Sequence, residues 1–108
     1  MNTYFLMFKV KPVANNEFYG QIGGALAHLW VVDTSPKRAH LRAEHYLSGY
    51  YWEVESLEQR AIETTEAQFA QEDIGLANYK KAQKYGIALF LSGWPDNEES
   101  QPLFHPLK

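Results

Sequence analysis

His28 interrupts an apolar run, GGALAHLWVVDTSP over residues 23–36, between Ala27 and Leu29. Burial among Ala, Leu, Trp and Val disfavours a charged imidazole, and a neutral imidazole near pH 7 can take a proton as a general base. The same ring, giving one hydrogen bond to a carboxylate or hydroxyl, is an ordinary core residue. The surrounding sequence supplies no catalytic companion. There is no Gly-x-Ser-x-Gly turn, and Asp33, the nearest acid along the run, falls on the opposite side of a strand from His28. His28 is therefore the candidate catalytic base, with the core role preferred.

Other polar residues offer less. His40 and His45 stand about 140° apart around a helix, which is wrong for joint metal binding. His40 and Glu44 have i, i+4 spacing, which an exposed pair explains without a metal. His105 lies in the tail with no companion, so neither a metal site nor a cofactor is expected. The glycines of YGQIGG, residues 19–24, precede an apolar run rather than a helix and lack the Lys and Ser or Thr of a phosphate cradle. They read as a hairpin connection. The 108 residues contain no cysteine, which excludes disulfides, thiolate nucleophiles and cysteine-bound zinc.

With 13 acidic and 10 basic side chains the formal charge is -3, too mild to define a partner. Lys80, Lys81 and Lys84 could join Lys37, Arg38 and Arg42 as basic ground if two helices were neighbours. The aromatics Phe5, Trp30 and Phe90 suit a base-stacking platform, but the run of Lys or Arg, Gly and aromatics that marks one is missing. The acid excess also opposes phosphate, so no nucleic-acid partner is expected.

These residues must be positioned by regular elements. Residues 3–11, TYFLMFKVK, alternate as a strand that stops at Pro12, with Tyr4, Leu6, Phe8 and Val10 on one side and Phe5, Met7, Lys9 and Lys11 on the other. After a long connection, residues 25–33 form a second strand that is apolar on both faces and hence central. Ser35 as N-cap and Pro36 at the first helical position start a helix, and Gly49 is read as its left-handed stop. Its core face holds Ala39, Ala43, Tyr46 and Leu47, with His40 at the border and Arg38, Leu41 and His45 outside. A third strand over residues 50–63 needs a bulge, because the alternation of Trp52 and Val54 does not run cleanly into Leu57 and Ile62. Thr65 and Gln68 have capping-box spacing for a second helical region that restarts at Asp73 near Gly75 and ends at Gly86. GIALFLSGW, residues 86–94, is the last strand. The acids of EVESLEQRAIE read as a solvated edge.

The order strand, strand, helix, strand, helix, strand predicts an α+β two-layer sandwich spanning residues 1–108 as a single domain. Its four-stranded sheet is expected to be mostly antiparallel or mixed, with two helices on one face and residues 95–108 as a polar, Pro-containing tail. The arrangement resembles ferredoxin-like domains as a fold-level analogy only, since the helix between the first two strands of those domains has no counterpart. With both helices on one face, the other keeps Phe5, Met7, Trp30 and Phe90, the candidate ligand or interface residues. A second copy of the chain, or Leu103, Phe104 and Leu107 of the tail, is expected to cover them. The expected function is a non-catalytic homodimeric module that binds a protein or a small ligand. The alternative is a small enzyme whose pocket, at the sheet face or the dimer interface, uses His28 as general base. No stretch reaches the ~20 apolar residues that span a bilayer, and no leader pattern opens the chain. No membrane association and a cytoplasmic location are expected.

Overall fold

In a computed structural model, which describes residues 1–95 and the backbone of residues 105–106, the two N-terminal apolar runs pair as an antiparallel hairpin. Strand β1 spans Asn2–Pro12 and β2 spans Ile22–Asp33, with Phe5 opposite Trp30 and Met7 opposite His28. Helix α1 (Pro36–Gly49) carries the chain back to β3 (Trp52–Thr64), which pairs with the outer edge of β1. A 3-10 turn (Glu66–Phe69) and helix α2 (Asp73–Tyr85) then lead to β4 (Ile87–Pro95) on the outer edge of β2. A two-residue strand, β5 (His105–Pro106), pairs with β4 at Ser92 and Gly93. All pairings are antiparallel and the order is β3-β1-β2-β4-β5. This is the expected α+β arrangement of a four-stranded sheet and two helices, with the short β5 added at one edge.

The expectation that both helices share one face is corrected. Ala39, Ala43 and Leu47 of α1 pack with Tyr4, Leu6, Phe8, Val10, Ala25, Ala27, Leu29 and Val31, which form one side of the hairpin. Ala82 and Tyr79 of α2 pack instead with Phe5, Trp30, Val32, Ala88 and Phe90 on the other side. On that same side Gln83 of α2 donates to the Thr3 hydroxyl at 2.7 Å. The helices therefore flank the sheet, α1 over β3, β1 and β2, and α2 over β2 and β4. The reason is the hairpin itself: strands apolar on both sides must be covered from both sides. The ferredoxin-like analogy ends at the element count.

Local signals hold at most boundaries. The Ser35 hydroxyl accepts from the Arg38 amide at 3.1 Å, and Leu41 on the outer face is 56% exposed. Trp52 is buried while Glu53 and Glu55 are exposed, and β3 shifts register at three places along β1, supplying the required bulges. Gly86 has φ 88 and closes α2 by donating to Ala82 O at 2.7 Å. Gly49 is a correction. It is the last helical residue, and the left-handed conformation falls on Tyr51 at φ 65. That backbone is held by the buried Asn16, whose amide donates to the carbonyls of Tyr50 and Tyr51 at 3.0 and 3.1 Å. The long connection between β1 and β2 is thereby tied to the turn between α1 and β3. The side chains of Leu103, Phe104 and Leu107, proposed above as a cover, lie outside the described residues. No helix among those residues is long and apolar enough to cross a membrane.

Asp33, buried where β2 gives way to α1, ties the two elements together. Its carboxylate accepts from the Thr34 amide at 2.7 Å and from Arg38 Nε at 3.0 Å, with Arg42 Nη1 3.5 Å away. Arg42 also donates to Val32 O at 2.7 Å. The Thr34 amide, with Arg38 adding to it, holds the Asp33 carboxyl below its ordinary pKa in spite of burial. A lowered folded-state pKa contributes stability above the unfolded value of about 3.9 and loses it as pH falls through the folded value. Asp33→Asn is expected to melt at a lower temperature than the natural chain at pH 7, with the gap closing below about pH 4. Thermal melts from pH 7 to 2.5 check this, and a gap independent of pH would count against the ion-pair role.

Candidate functional site

On the α2 side of the sheet, coverage fades along β2. Trp30 lies under α2 and is 3% exposed, whereas His28, two residues back, is only partly buried. At that margin the surface sinks into a recess of about 390 Å³. Phe5 of β1, His28 and Trp30 of β2 and Phe90 of β4 enter it from the sheet. Phe69, at the end of the 3-10 turn, and Glu72 to Gly75, where α2 begins, complete the lining.

Strand register explains the sheet contribution. Phe5 faces Trp30 across β1 and β2, and His28 faces Phe90 across β2 and β4, so four side chains of one pleat side meet without long-range accident. Their rings are in mutual contact: Phe5 and Trp30 centroids are 5.0 Å apart, and Phe69 sits 5.6 Å from each. His28 extends the aromatic row, 5.6 Å from Phe90 and 6.3 Å from Phe5. Gly75 lets the start of α2 approach this row closely. A Cβ there would lie 2.7 Å from Phe69 Cδ1 and 3.1 Å from Glu72 Oε1.

The polar groups are few. His28 Nδ1 lies 3.4 Å from Phe90 O. A carbonyl only accepts, so the contact is a hydrogen bond in the tautomer that carries its proton on Nδ1. Burial lowers the His28 pKa, against a smaller upward pull from the Phe90 and Leu26 carbonyls, and the ring is neutral at pH 7. The Trp30 indole N–H is buried with no hydrogen-bond partner among the described residues. Leaving a buried donor unpaired costs about 1–3 kcal/mol. Glu72 and Asp73 bring carboxylates to the rim, both residues exposed and neither in an ion pair among the described residues.

Of the residues singled out from sequence, Phe5, His28, Trp30 and Phe90 come together here. Met7 is across from His28 in the sheet but outside the lining. The premise that this face lies open is corrected, because α2 and Phe69 cover part of it. Phe69, Glu72, Asp73, Ile74 and Gly75 join the lining without a motif in the sequence that marks them as site residues. The only sequence signal for them was the helix restart near Asp73 and Gly75, and it carried no information on which sheet face the helix meets.

Elsewhere, His40 and Glu44 form a pair at 3.3 Å, and no group of three or more possible metal ligands occurs among the described residues. Of the six cations considered together above, Arg38 and Arg42 are engaged by Asp33. A second recess of about 250 Å³ lies on the α1 side between Phe18, Tyr46, Trp52 and Leu89. Burial, with Tyr50 adding to it, raises the Tyr46 pKa, so that hydroxyl keeps its proton at neutral pH. Comparison with protein-family models, with curated proteins and with solved structures finds no match to this chain.

The lowered pKa of His28 has a measurable consequence. Its contribution to stability is complete above the unfolded value of about 6.5 and is lost as pH falls through the folded value. The melting temperature of the natural chain is expected to drop more steeply between pH 7.5 and 5 than that of His28→Gln, which cannot protonate there. Parallel melting profiles for the two proteins would show that His28 is not buried as described.

Proposed function

We propose that this chain is a non-catalytic binding module whose recess beside His28 receives a small, largely apolar molecule. One observation carries the reading: aromatic rings from three strands and the 3-10 turn converge at the margin of α2 and leave about 390 Å³ between them. Recesses of roughly 300–1,000 Å³ with apolar walls and a few placed polar groups are the usual form of a small-ligand site. The neutral imidazole of His28 is the polar group on offer inside, with Glu72 and Asp73 at the rim.

The general-base alternative has less support. The hydrogen-bond contact of His28 is with a backbone carbonyl, and no nucleophile or acid is bonded to its ring among the described residues. A catalytic histidine works with an orienting partner and a group whose proton it takes. Self-association is not part of the proposal, since α2 and Phe69 cover part of the face that suggested it.

Benzyl alcohol, a neutral ring of suitable size, tests the site directly. Titrated into ¹⁵N-labelled protein, it is expected to shift the Trp30 indole signal and the amides of residues 28, 72–75 and 90, with a Kd on the order of millimolar for so small a ligand. Phe90→Ala, which removes one wall, should weaken binding several-fold. Shifts confined to other regions, or none at all, would defeat the proposal.

A further inference from the structure

We infer that the recess selects a small organic cation, an amine or quaternary ammonium on an apolar body, over neutral and anionic molecules of the same shape. The inference rests on the binding reading above and adds the charge of the ligand.

Three features of the lining point the same way. Four aromatic side chains, Phe5, Trp30, Phe69 and Phe90, line the recess, and an aromatic ring attracts a cation through its quadrupole. The rim carries two carboxylates, Glu72 and Asp73, and no Lys or Arg is among the lining residues. His28 adds no opposing charge, since burial keeps it neutral at pH 7. The start of α2 contributes a partial positive charge of about +0.5, which the two full negative charges outweigh. Neither carboxylate is paired with a basic side chain among the described residues, so both are available to a ligand.

An anion would meet two like charges at the mouth. A neutral molecule would find the apolar walls but gain nothing from Glu72 and Asp73. The second recess, on the α1 side, has no such bias, because Lys81 and Glu17 both line it.

The test compares benzyltrimethylammonium, benzyl alcohol and benzoate as probes on the natural chain, read by the Trp30 indole signal and the amides of residues 28, 72–75 and 90. The cation is expected to bind about tenfold more tightly than the alcohol, and benzoate more weakly than either. The preference should shrink as salt is raised, since the carboxylates are exposed. In the double variant Glu72→Gln, Asp73→Asn the cation should lose far more affinity than the alcohol, so that the gap between them narrows. Thermal melting of that variant establishes that it is folded, and each single variant repeats the measurement should it not be. Equal affinity for the three probes, or tighter binding of benzoate, overturns the cation inference and leaves the binding reading standing. Failure of all three probes to move the recess signals removes both.

Discussion

Everything in this molecule depends on a hairpin that is apolar on both of its sides. Along one side β1 and β2 present Tyr4, Leu6, Phe8, Val10, Ala25, Ala27, Leu29 and Val31, all at most 5% exposed. Along the other they present Phe5 and Trp30. A sheet whose central strands are apolar on two faces is stable only when both are covered, so a chain with two helices must place one on each. The small residues Ala25, Ala27, Ala39 and Ala43 allow α1 to lie close on its side. On the α2 side the residues are larger, Phe5, Trp30, Phe69 and Phe90 among them.

One helix per face is too narrow for the sheet. Four strands at about 4.8 Å spacing present a surface roughly 14–19 Å wide, whereas a helix with its side chains is about 10–12 Å across. Each helix therefore leaves a margin. On the α1 side the margin is filled in part by Phe18 and Ile22 of the β1–β2 connection and the start of β2. On the α2 side it falls beside His28, where the 3-10 turn and the first residues of α2 form a rim instead of a lid. The recess is thus a consequence of the covering geometry, and its chemistry follows from which residues the strand pleat and the helix start deliver there.

That origin bears on His28. Its partly buried position is neither the closed core nor an open surface, and the two roles considered for it from sequence assumed one or the other. Its Nδ1 faces a backbone carbonyl that any neutral histidine could use. What distinguishes the position is company: an aromatic row on both sides, a buried indole N–H nearby without a partner among the described residues, and carboxylates at the rim. In the binding reading proposed above these groups serve recognition, and among the described residues no nucleophile or orienting acid is bonded to His28.

Sequence by itself determined what local chemistry controls. Period-two alternation assigned Tyr4, Leu6, Phe8 and Val10 to one pleat side and Phe5, His28 and Trp30 to the other sides of their strands. Ser35, Pro36 and Gly86 marked helix ends through groups that cap or end a helix within one turn. Tertiary structure decided which face each helix took, because alternation labels two sides of a strand without saying what will lie on them. It also decided that the left-handed residue after α1 is Tyr51 and not Gly49. Hydrogen bonds from Asn16, more than thirty residues away in the chain, hold that turn, and no local signal records them. The meeting of Phe69, Glu72 and Asp73 with His28 belongs to the same class, since it depends on the path from β3 across the sheet to β4. Only packing against both faces of the hairpin selects that path.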